Sequence, residues 1–489
     1  MQDTAWLGFA LDRSSKTPVF EQICAEIRRR AISGALVEGT ALPPTRAFAT
    51  ELGVSRSTVV TAYEQLIAEG YVSSRQGSAY RVCALGEVEL SRATPTAPSN
   101  PHHVPQPAPP VTQSKRTPMP FAAGQPDMRL FPHRQWAKAV ARVCRANPEA
   151  MLLGGDHFGN HDLRAAIAAH VSEWRGIAAS PDQIFITAGS TDALEICLRT
   201  LTSRGDKIGL ESPGYPPLRH FAHEHGLSIQ NLPLDDQGAQ LPDLDPPARL
   251  AVLTPSHQYP LGGAMSPHRR LAFLSWAKAA DSWIIEDDYD SEFRYAGRPI
   301  PAMAGFDCLN RTIYVGSFSK IFSNTLRLGY VISPKELLPQ FRETLRRFGH
   351  HASYMPQQAL AEFMTSGEFY RHLRRVRRTY GDRRQFLLER LRRDFSGFGS
   401  FADHHAGMQI VFQLRSEFRD RGIAKRAEEK GVKVQALSAY VAEQCDLNGL
   451  ILGFCSCCEE EMAPALERLL SCLVESTPPE QIPPAALTL

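Results

Sequence analysis

The stretch Trp-Ile-Ile-Glu-Asp-Asp-Tyr at residues 283–289 joins a short apolar run to a cluster of acidic side chains and a tyrosine. Such a run predicts a buried β-strand, and the polar residues behind it predict where that strand ends. Comparable apolar runs lie at residues 184–187, 207–210, 250–253 and 312–315. Helical stretches separate these runs, so the sequence predicts an α/β domain with a mostly parallel sheet.

Two of the predicted strands are followed by residues that suit one cofactor. Pyridoxal 5'-phosphate (PLP) needs a lysine for covalent attachment, an acid at its pyridine nitrogen, an aromatic face and donors for its phosphate. Lys320 follows one strand, in Ser-Phe-Ser-Lys at 317–320, and a desolvated lysine can act as a nucleophile. Asp287 follows another strand, at the sheet edge where open α/β folds bind ligands. These positions predict a PLP site.

The remaining requirements of the cofactor also have candidates at strand ends. The segment Thr-Ala-Gly-Ser-Thr-Asp at 187–192 follows a strand and opens a helix, whose N-terminal amides suit a phosphate. The predicted phosphate donors are Gly189, Ser190, Thr191, Ser317, Ser319 and Arg327. Tyr215 is the candidate for stacking on the ring. Each piece alone has an ordinary explanation as a helix cap or an exposed turn; their joint order along the chain favours the cofactor site.

The N-terminal region has a different pattern, typical of three helices and a hairpin. Apolar residues from Phe20 to Ala31 recur at helical spacing. Thr45 is the predicted N-cap of a second helix and Ser55 that of a third, with Gly53 in the turn between them. Strands near 70–72 and 80–82 complete a winged helix-turn-helix.

This arrangement predicts contacts to double-stranded DNA. The residues concerned are Arg46, Ser55, Arg56, Thr58, Gln76 and Gly77. Arg56 and Thr58 lie near the start of the third helix, where recognition helices touch base edges. An arginine there can bind guanine through two hydrogen bonds. Arg46 and Ser55 are better placed for phosphates, and the wing tip for the minor groove. For any single arginine the alternative is a solvated surface charge.

Composition separates the two regions. Residues 84–120 are rich in proline and lack hydrophobic periodicity, which predicts an extended linker. The predicted limits are 1–83 for the DNA-binding domain, 84–120 for the linker, 121–475 for the PLP-binding domain with a smaller C-terminal α+β part, and 476–489 for a tail. The 489 residues carry a net charge of only +2, so a basic DNA-binding face must be local.

With these motifs in place, the chain resembles the MocR-type subgroup of the GntR regulators, in which a GntR-like winged helix is fused to a fold-type I, aminotransferase-like domain. Residues 17–82 resemble the first part and residues 121–470 the second. The resemblance implies that Lys320 forms the Schiff base with PLP, that Asp287 binds the pyridine nitrogen and that Tyr289 bonds the phenolic oxygen. It also implies a head-to-tail homodimer.

Two departures from the aminotransferase pattern bear on activity. Tyr259 stands before Pro260 where aminotransferases usually have asparagine, so the bond to the phenolic oxygen is weakened or comes from Gln258 or His257. The stretch 448–454 contains no arginine to hold a substrate α-carboxylate. Both departures favour a regulator that senses a small amine, an amino acid or PLP. The alternatives are an active aminotransferase with a DNA-binding appendage and a relic scaffold that binds no PLP.

Three further features have simpler interpretations. Cys455, Cys457 and Cys458 lack the paired spacing of a zinc site, so they are expected to be small buried residues on a strand, and no metal is assigned. The arginine-rich run 371–393 is expected to be a solvated helix face with acidic partners, with a track for DNA as the alternative. Neither a secretion signal nor a membrane-spanning run is evident, so a cytoplasmic protein without a membrane partner is expected.

Overall fold

A computed structural model describes residues 11–15, 17–74, 79–84, 119–146, 155–242, 247–297, 299–348, 352–441 and 447–476. Contacts between Cα atoms divide the chain into two compact units, with the division between residues 112 and 113. This division falls within the predicted linker. Most of that linker, nearly all of the predicted tail and the wing-tip residues Gln76 and Gly77 lie outside the described residues. The exact domain limits therefore stay predictions.

The N-terminal unit is a winged helix-turn-helix, as predicted. Its elements are α1 (Val19–Ile32), α2 (Thr45–Leu52), α3 (Arg56–Ala68), β1 (Val72–Ser73) and β2 (Arg81–Val82). The two strands pair antiparallel. Phe48 of α2 and Tyr63 of α3 are fully buried where the helices pack, and Gly53 joins these helices in the left-handed conformation with φ of 62°. One detail differs from expectation: Thr45 is the first helical residue, because the extended Pro44 occupies the N-cap position.

The second unit is built around a mixed eight-stranded sheet. In chain order the strands are β3 (Ile184–Thr187), β4 (Lys207–Ser212), β5 (Ser228–Asp235), β6 (Gly238–Ala239), β7 (Leu250–Leu253), β8 (Trp283–Asp288), β9 (Thr312–Ser317) and β10 (Gly329–Ile332). Their order across the sheet is β3-β10-β9-β8-β7-β4-β5-β6. The strands β5, β4, β7, β8 and β9 are parallel. The strand β10, which the sequence prediction missed, is antiparallel to both of its neighbours.

Helices surround this sheet and bury both of its faces. They are α4 (His133–Ala146), α5 (His161–Arg175), α6 (Ser190–Leu201), α7 (Pro216–Glu224), α8 (Pro267–Ala279), α9 (Met303–Phe306), α10 (Leu338–Phe348) and α11 (Met355–Thr365). Every residue of β3, β7, β8, β9 and β10 is buried. Burial on both faces explains why these strands read as continuous apolar runs rather than as alternating ones.

The chain then continues into a smaller α+β part. It contains α12 (Glu368–Asp394), β11 (Gly399–Phe401), β12 (Gln409–Leu414), α13 (Asp420–Glu429), β13 (Gln435–Ala436), β14 (Gly449–Gly453) and α14 (Glu459–Val474). The four strands form an antiparallel sheet. Leu373 and Leu387 of α12 share one apolar core with Ile186 of β3 and Phe412 of β12, so the two sheets are packed into a single unit.

The cysteine cluster departs from its predicted position. Cys455 and Cys457 are buried, but they follow β14 instead of lying in it, and Cys458 is the N-cap residue of α14. The strand ends at Gly453, where a side chain would collide with the carbonyl oxygen of Ala122. Within the described ranges, no three His, Cys, Asp or Glu side chains are grouped as metal ligands would be. No helix in these ranges is long and apolar enough to span a membrane.

Candidate cofactor site and DNA-binding helix

The predicted cofactor residues meet at one edge of the large sheet. Gly329, at the start of β10, is in register with Ser317 at the end of β9 and with Thr187 at the end of β3. On the other side of β9, Asp288 of β8 is in register with Gly316. The loops that carry the predicted phosphate donors, the lysine and the acid therefore leave neighbouring strands at the same end, which is where ligands bind in open α/β sheets.

The three consecutive acids of β8 have three different environments. Side chains alternate between the two faces of a strand, so Glu286 and Asp288 lie on the face opposite to Asp287. Glu286 accepts hydrogen bonds from the backbone amides of Met303 (3.0 Å) and Ala304 (2.8 Å). Asp288 pairs with Arg175 at 2.7 Å. Glu286 and Asp288 therefore stabilise the fold through these contacts. Of the three acids, Asp287 is the one on the opposite face of the strand.

Asp287 is buried, and within the described part of the chain its Oδ1 atom makes no hydrogen bond. Burial and the negative charges of Asp288, Glu211 and Asp290 raise the pKa of Asp287 to about 7, against the opposing effect of Lys320. An unpaired carboxylate oxygen in a buried site is costly and usually has a functional explanation. A cationic N–H donor, such as a protonated pyridine nitrogen, would satisfy this oxygen and stabilise the charged carboxylate. The residues present therefore fit PLP.

Lys320 is held by one backbone group. Its Nζ atom donates a 2.8 Å hydrogen bond to the carbonyl of Gly124. Burial lowers the pKa of the Lys320 amine, and the nearby Asp290, Cys455 and Asp287 oppose that shift. A lowered pKa increases the fraction of neutral amine, which is the nucleophilic form. No sequence pattern pointed to Gly124, because the contact joins residues 196 positions apart.

Three of the predicted phosphate donors, Gly189, Ser190 and Thr191, lie at the start of α6. Gly189 is the N-cap residue, with φ of 97°, and a Cβ atom built on it meets nothing within 4 Å. Gly329 packs directly against it, since a Cβ atom at Gly329 would lie 2.9 Å from the Cα atom of Gly189. Ser317 is buried, and its hydroxyl accepts a 3.1 Å hydrogen bond from the amide of Ser319. Arg327 is exposed and has a positive φ of 50°. Strained backbone of this kind concentrates at functional sites.

A row of aromatic side chains in mutual contact lies beside these groups. The hydroxyl of Tyr215 lies 3.2 Å from Oγ1 of Thr191, at the predicted phosphate end. The ring of Tyr259 meets Tyr215 edge-on at 5.9 Å and Tyr289 edge-on at 5.4 Å. The hydroxyl of Tyr289 lies 2.8 Å from Nδ1 of His257. That same nitrogen lies 2.9 Å from the carboxylate of Asp290. His257 and Asp290 were not predicted as a pair, and they fix the position of Tyr289.

The residue before Tyr259 is engaged elsewhere. The amide of Gln258 donates to the buried Glu211 at 3.2 Å and to the carbonyl of Pro213 at 3.0 Å. Thr254 donates to the same carboxylate from both its backbone amide and its hydroxyl. Gln258 therefore connects two loops, and of the two substitutes considered for the missing asparagine, His257 is the one that touches Tyr289.

In the N-terminal unit the predicted recognition helix begins as expected. Ser55 is the N-cap of α3, and its hydroxyl accepts a 3.1 Å hydrogen bond from the amide of Thr58. Arg46 and Arg56 are both exposed. The Nε atom of Arg56 lies 3.4 Å from the hydroxyl of Thr45, so Arg56 projects at the junction of α2 and α3. The assignment of bases and phosphates to these side chains stays a prediction.

The two parts match two protein families. Residues 116–469 match the model of aminotransferase class I and II, and residues 20–82 match that of the bacterial regulatory proteins of the gntR family. Among solved structures, LysN, the α-aminoadipate aminotransferase of Thermus thermophilus complexed with N-(5'-phosphopyridoxyl)-L-leucine, is 26% identical with a TM-score of 0.66. The match covers 73% of this chain and 92% of LysN. The fold is thus that of an aminotransferase joined to a GntR-type DNA-binding unit.

Two curated relatives combine the same parts over almost the whole chain. The probable rhizopine catabolism regulatory protein MocR of Rhizobium meliloti is 35% identical, over 94% of this chain and 95% of that protein. The pyridoxine biosynthesis transcriptional regulator PdxR of Corynebacterium glutamicum is 34% identical, over 92% of this chain and 94% of that protein. The chain belongs to the MocR-type subgroup of the GntR regulators, and it is a helix-turn-helix transcriptional regulator with an aminotransferase-like domain.

Proposed function

We propose that this regulator binds PLP at Lys320 and that occupancy of the site by a small amine, an amino acid or PLP itself alters binding to promoter DNA. The observation that carries the proposal is the buried Asp287 carboxylate, which lies at the same sheet edge as Lys320. Its Oδ1 atom has no hydrogen-bond partner in the described ranges of the chain. A structural acid on this strand would be paired, as Glu286 and Asp288 are.

The residues have separate roles toward the cofactor. Lys320 would attach it, Asp287 would hold a proton at the pyridine nitrogen, Tyr215 would stack on the ring and Tyr289 would donate to the phenolic oxygen. The phosphate is bound by Gly189, Ser190, Thr191, Ser317, Ser319 and Arg327. When bound, PLP supplies an aldehyde for amines and a ring that accepts electrons.

Several features support sensing over catalytic turnover. The stretch 448–454 has no arginine, so an α-carboxylate would be poorly oriented for proton transfer. His257 and Asp290 hold Tyr289 through a fixed hydrogen-bonded network. Because a DNA-binding unit is fused to this domain, ligand binding at the site can act on DNA binding. An active aminotransferase remains the alternative function, and steady product formation from an amino donor and a keto acceptor would favour it.

Regulation requires that the ligand bind two states of the protein unequally. We propose that these states belong to a head-to-tail homodimer in the cytoplasm, which presents paired recognition helices to an operator. The relative from Corynebacterium glutamicum is named for pyridoxine biosynthesis, and this name supports PLP as one candidate effector.

Reductive trapping tests the cofactor assignment. Full-length protein is incubated with PLP, reduced with borohydride and digested, and the peptides are analysed by mass spectrometry. The proposal predicts a phosphopyridoxyl group on Lys320. Labelling spread over surface lysines, with none at Lys320, would contradict it.

A further inference from the structure

A cationic cleft lies on the surface of the second unit, between the arginine-rich helix α12 and the loop that follows β8. Its volume is about 630 Å³. The lining residues are Arg294, Tyr295, Arg374, Arg377, Arg378, Gly381, Asp382, Arg384, Gln385 and His405. None of these is among the residues proposed to hold PLP.

The charge of the cleft is largely uncompensated. Five arginines line it, and Asp382 is the one carboxylate among the lining residues. Arg374 and Arg378 are exposed, stand one helical turn apart and make no ion pair with the part of the chain that the structure describes. Several other arginines of the same helix pair with acids: Arg383 pairs with Asp127 at 2.8 Å and Arg390 with Asp394 at 2.6 Å. The expectation of a solvated face with acidic partners therefore holds for much of α12 but not for the cleft.

Buried donors in the cleft point to a ligand. The Nε atoms of Arg294 and Arg384 are buried and have no hydrogen-bond partner among the residues that the structure describes. Leaving such donors unpaired is costly unless something else accepts their hydrogen bonds. Arg384 forms an ion pair with Asp403. The side chain of Arg377 is already fixed, because it donates to the carbonyl of Arg294 at 2.6 Å and lies over the ring of Trp174.

We propose that this cleft binds a ligand with closely spaced phosphate groups. Guanidinium groups form paired, charge-assisted hydrogen bonds with phosphate oxygens. The exposed Arg374 and Arg378 would meet the outer phosphates, and the inner arginines, Arg294 among them, would receive a phosphate that enters the cleft. Two sources supply this chemistry: a free polyphosphate-bearing small molecule and the backbone of DNA that flanks the operator. The proposal does not depend on PLP binding at Lys320.

A charge-reversal pair with a matched control tests the cleft. The variant is Arg374→Glu/Arg378→Glu. The control is Arg134→Glu/Lys138→Glu, which reverses two exposed charges at the same spacing on α4, outside the cleft. Full-length protein carrying its cofactor is used in phosphate-free buffer. The absorbance of the bound cofactor is recorded for every variant, so that loss of PLP is distinguished from loss of the cleft.

One arm uses sodium tripolyphosphate in a calorimetric titration. If the natural ligand is a small molecule, wild type and control bind tripolyphosphate and the cleft variant binds it at least about tenfold more weakly. The second arm compares DNA fragments from the upstream region with short and long flanks. If the ligand is DNA, the long flank strengthens binding by wild type and control but not by the cleft variant. For the cleft variant, the slope of log affinity against log salt concentration falls by about two. The proposal is overturned if the cleft variant matches the control in both arms.

Discussion

The amine of Lys320 lies 2.8 Å from the backbone carbonyl of Gly124, which gives this donor a hydrogen-bond acceptor within the chain. A Cβ atom built on Gly124 would lie 2.6 Å from that amine, so only glycine leaves room for the contact. The amine is thus positioned before any ligand arrives. Burial lowers the pKa of this amine, which favours its neutral, nucleophilic form and supports the proposed attachment of PLP at Lys320.

Lys320→Ala is expected to remove covalent attachment of PLP without unfolding the chain. Alanine fits a half-buried position after β9, and no ion pair to Lys320 is lost among the described residues. The measurement is the absorbance spectrum after dialysis, with circular dichroism to check the fold. The exposed Lys335 provides a control, Lys335→Ala, which should retain the band. Persistence of the same band in Lys320→Ala would show that another group holds the cofactor.

Asp287→Asn is expected to stabilise the protein without its cofactor at high pH. Folding raises the pKa of Asp287 from 3.8 to about 7, so the folded chain binds this proton more tightly than the unfolded chain does. Stability is therefore lost as pH rises from 3.8 towards 7, and asparagine avoids that loss. Thermal melts of the PLP-free protein should show the variant melting a few degrees above wild type at pH 8, with a smaller difference at pH 5.

With PLP present, wild type should melt at a higher temperature than Asp287→Asn. The variant lacks the charge that pairs with the pyridine nitrogen, so its affinity for PLP should fall by about tenfold or more. Asp236→Asn, at an exposed acid outside both proposed sites, is the control and should change neither result. Equal melting temperatures for wild type and Asp287→Asn across this pH range would contradict the assignment.

Arg56 and Arg46 should differ in how they affect DNA binding. Arg56→Ala is expected to cost about 1–3 kcal/mol on the specific site and to relax the preference at one base position. Arg46→Ala should weaken binding to all DNA sequences alike. It should also reduce, by about one, the slope of log affinity against log salt concentration. Fluorescence anisotropy on operator and random DNA at several salt concentrations measures both. Indistinguishable behaviour of the two variants would refute this division of roles.

Amino donors are expected to change the absorbance without sustained turnover. The missing arginine in 448–454 leaves the carboxylate of an α-amino acid without a charged partner there. The assay offers a panel of amino donors with 2-oxoglutarate or pyruvate and follows the product over time. Multiple turnovers at about 1 s⁻¹ or faster would fall in the ordinary enzyme range and identify an aminotransferase.

Much of the fold could be predicted because local signals agreed with the tertiary structure. Strands buried on both faces, such as β7 and β9, are continuous apolar runs, and the cap at Ser55 marks the start of α3. The strand β10 was missed, although Gly-Tyr-Val-Ile is apolar, because four residues that follow a loop rich in polar side chains give a weak signal. Its antiparallel orientation depends on partners that no local pattern reveals.

Site residues could be predicted from the sequence only where the residue type itself indicates a chemical role. Lys320 follows β9 as predicted, whereas Asp287, which was predicted to follow a strand, lies within β8, because that strand extends to Asp288. The contact of Gly124 with Lys320 and the pairing of His257 with Asp290 arise only from folding. Of the three adjacent acids in β8, Asp287 was predicted to be the cofactor ligand because of its position along the chain. The reason that it differs from Glu286 and Asp288 is the strand's alternation, which carries the outer two to the opposite face.

The central claim is that occupancy of the PLP site controls the DNA-binding unit. Its most direct test is the affinity of the full-length protein for DNA from its own upstream region, measured without PLP, with PLP, and with PLP plus each of a panel of amines. We expect PLP or at least one amine to change the DNA affinity of the wild-type protein and to leave that of Lys320→Ala unchanged. Equal affinities for the wild-type protein under all these conditions, with PLP bound as judged by absorbance, would contradict it.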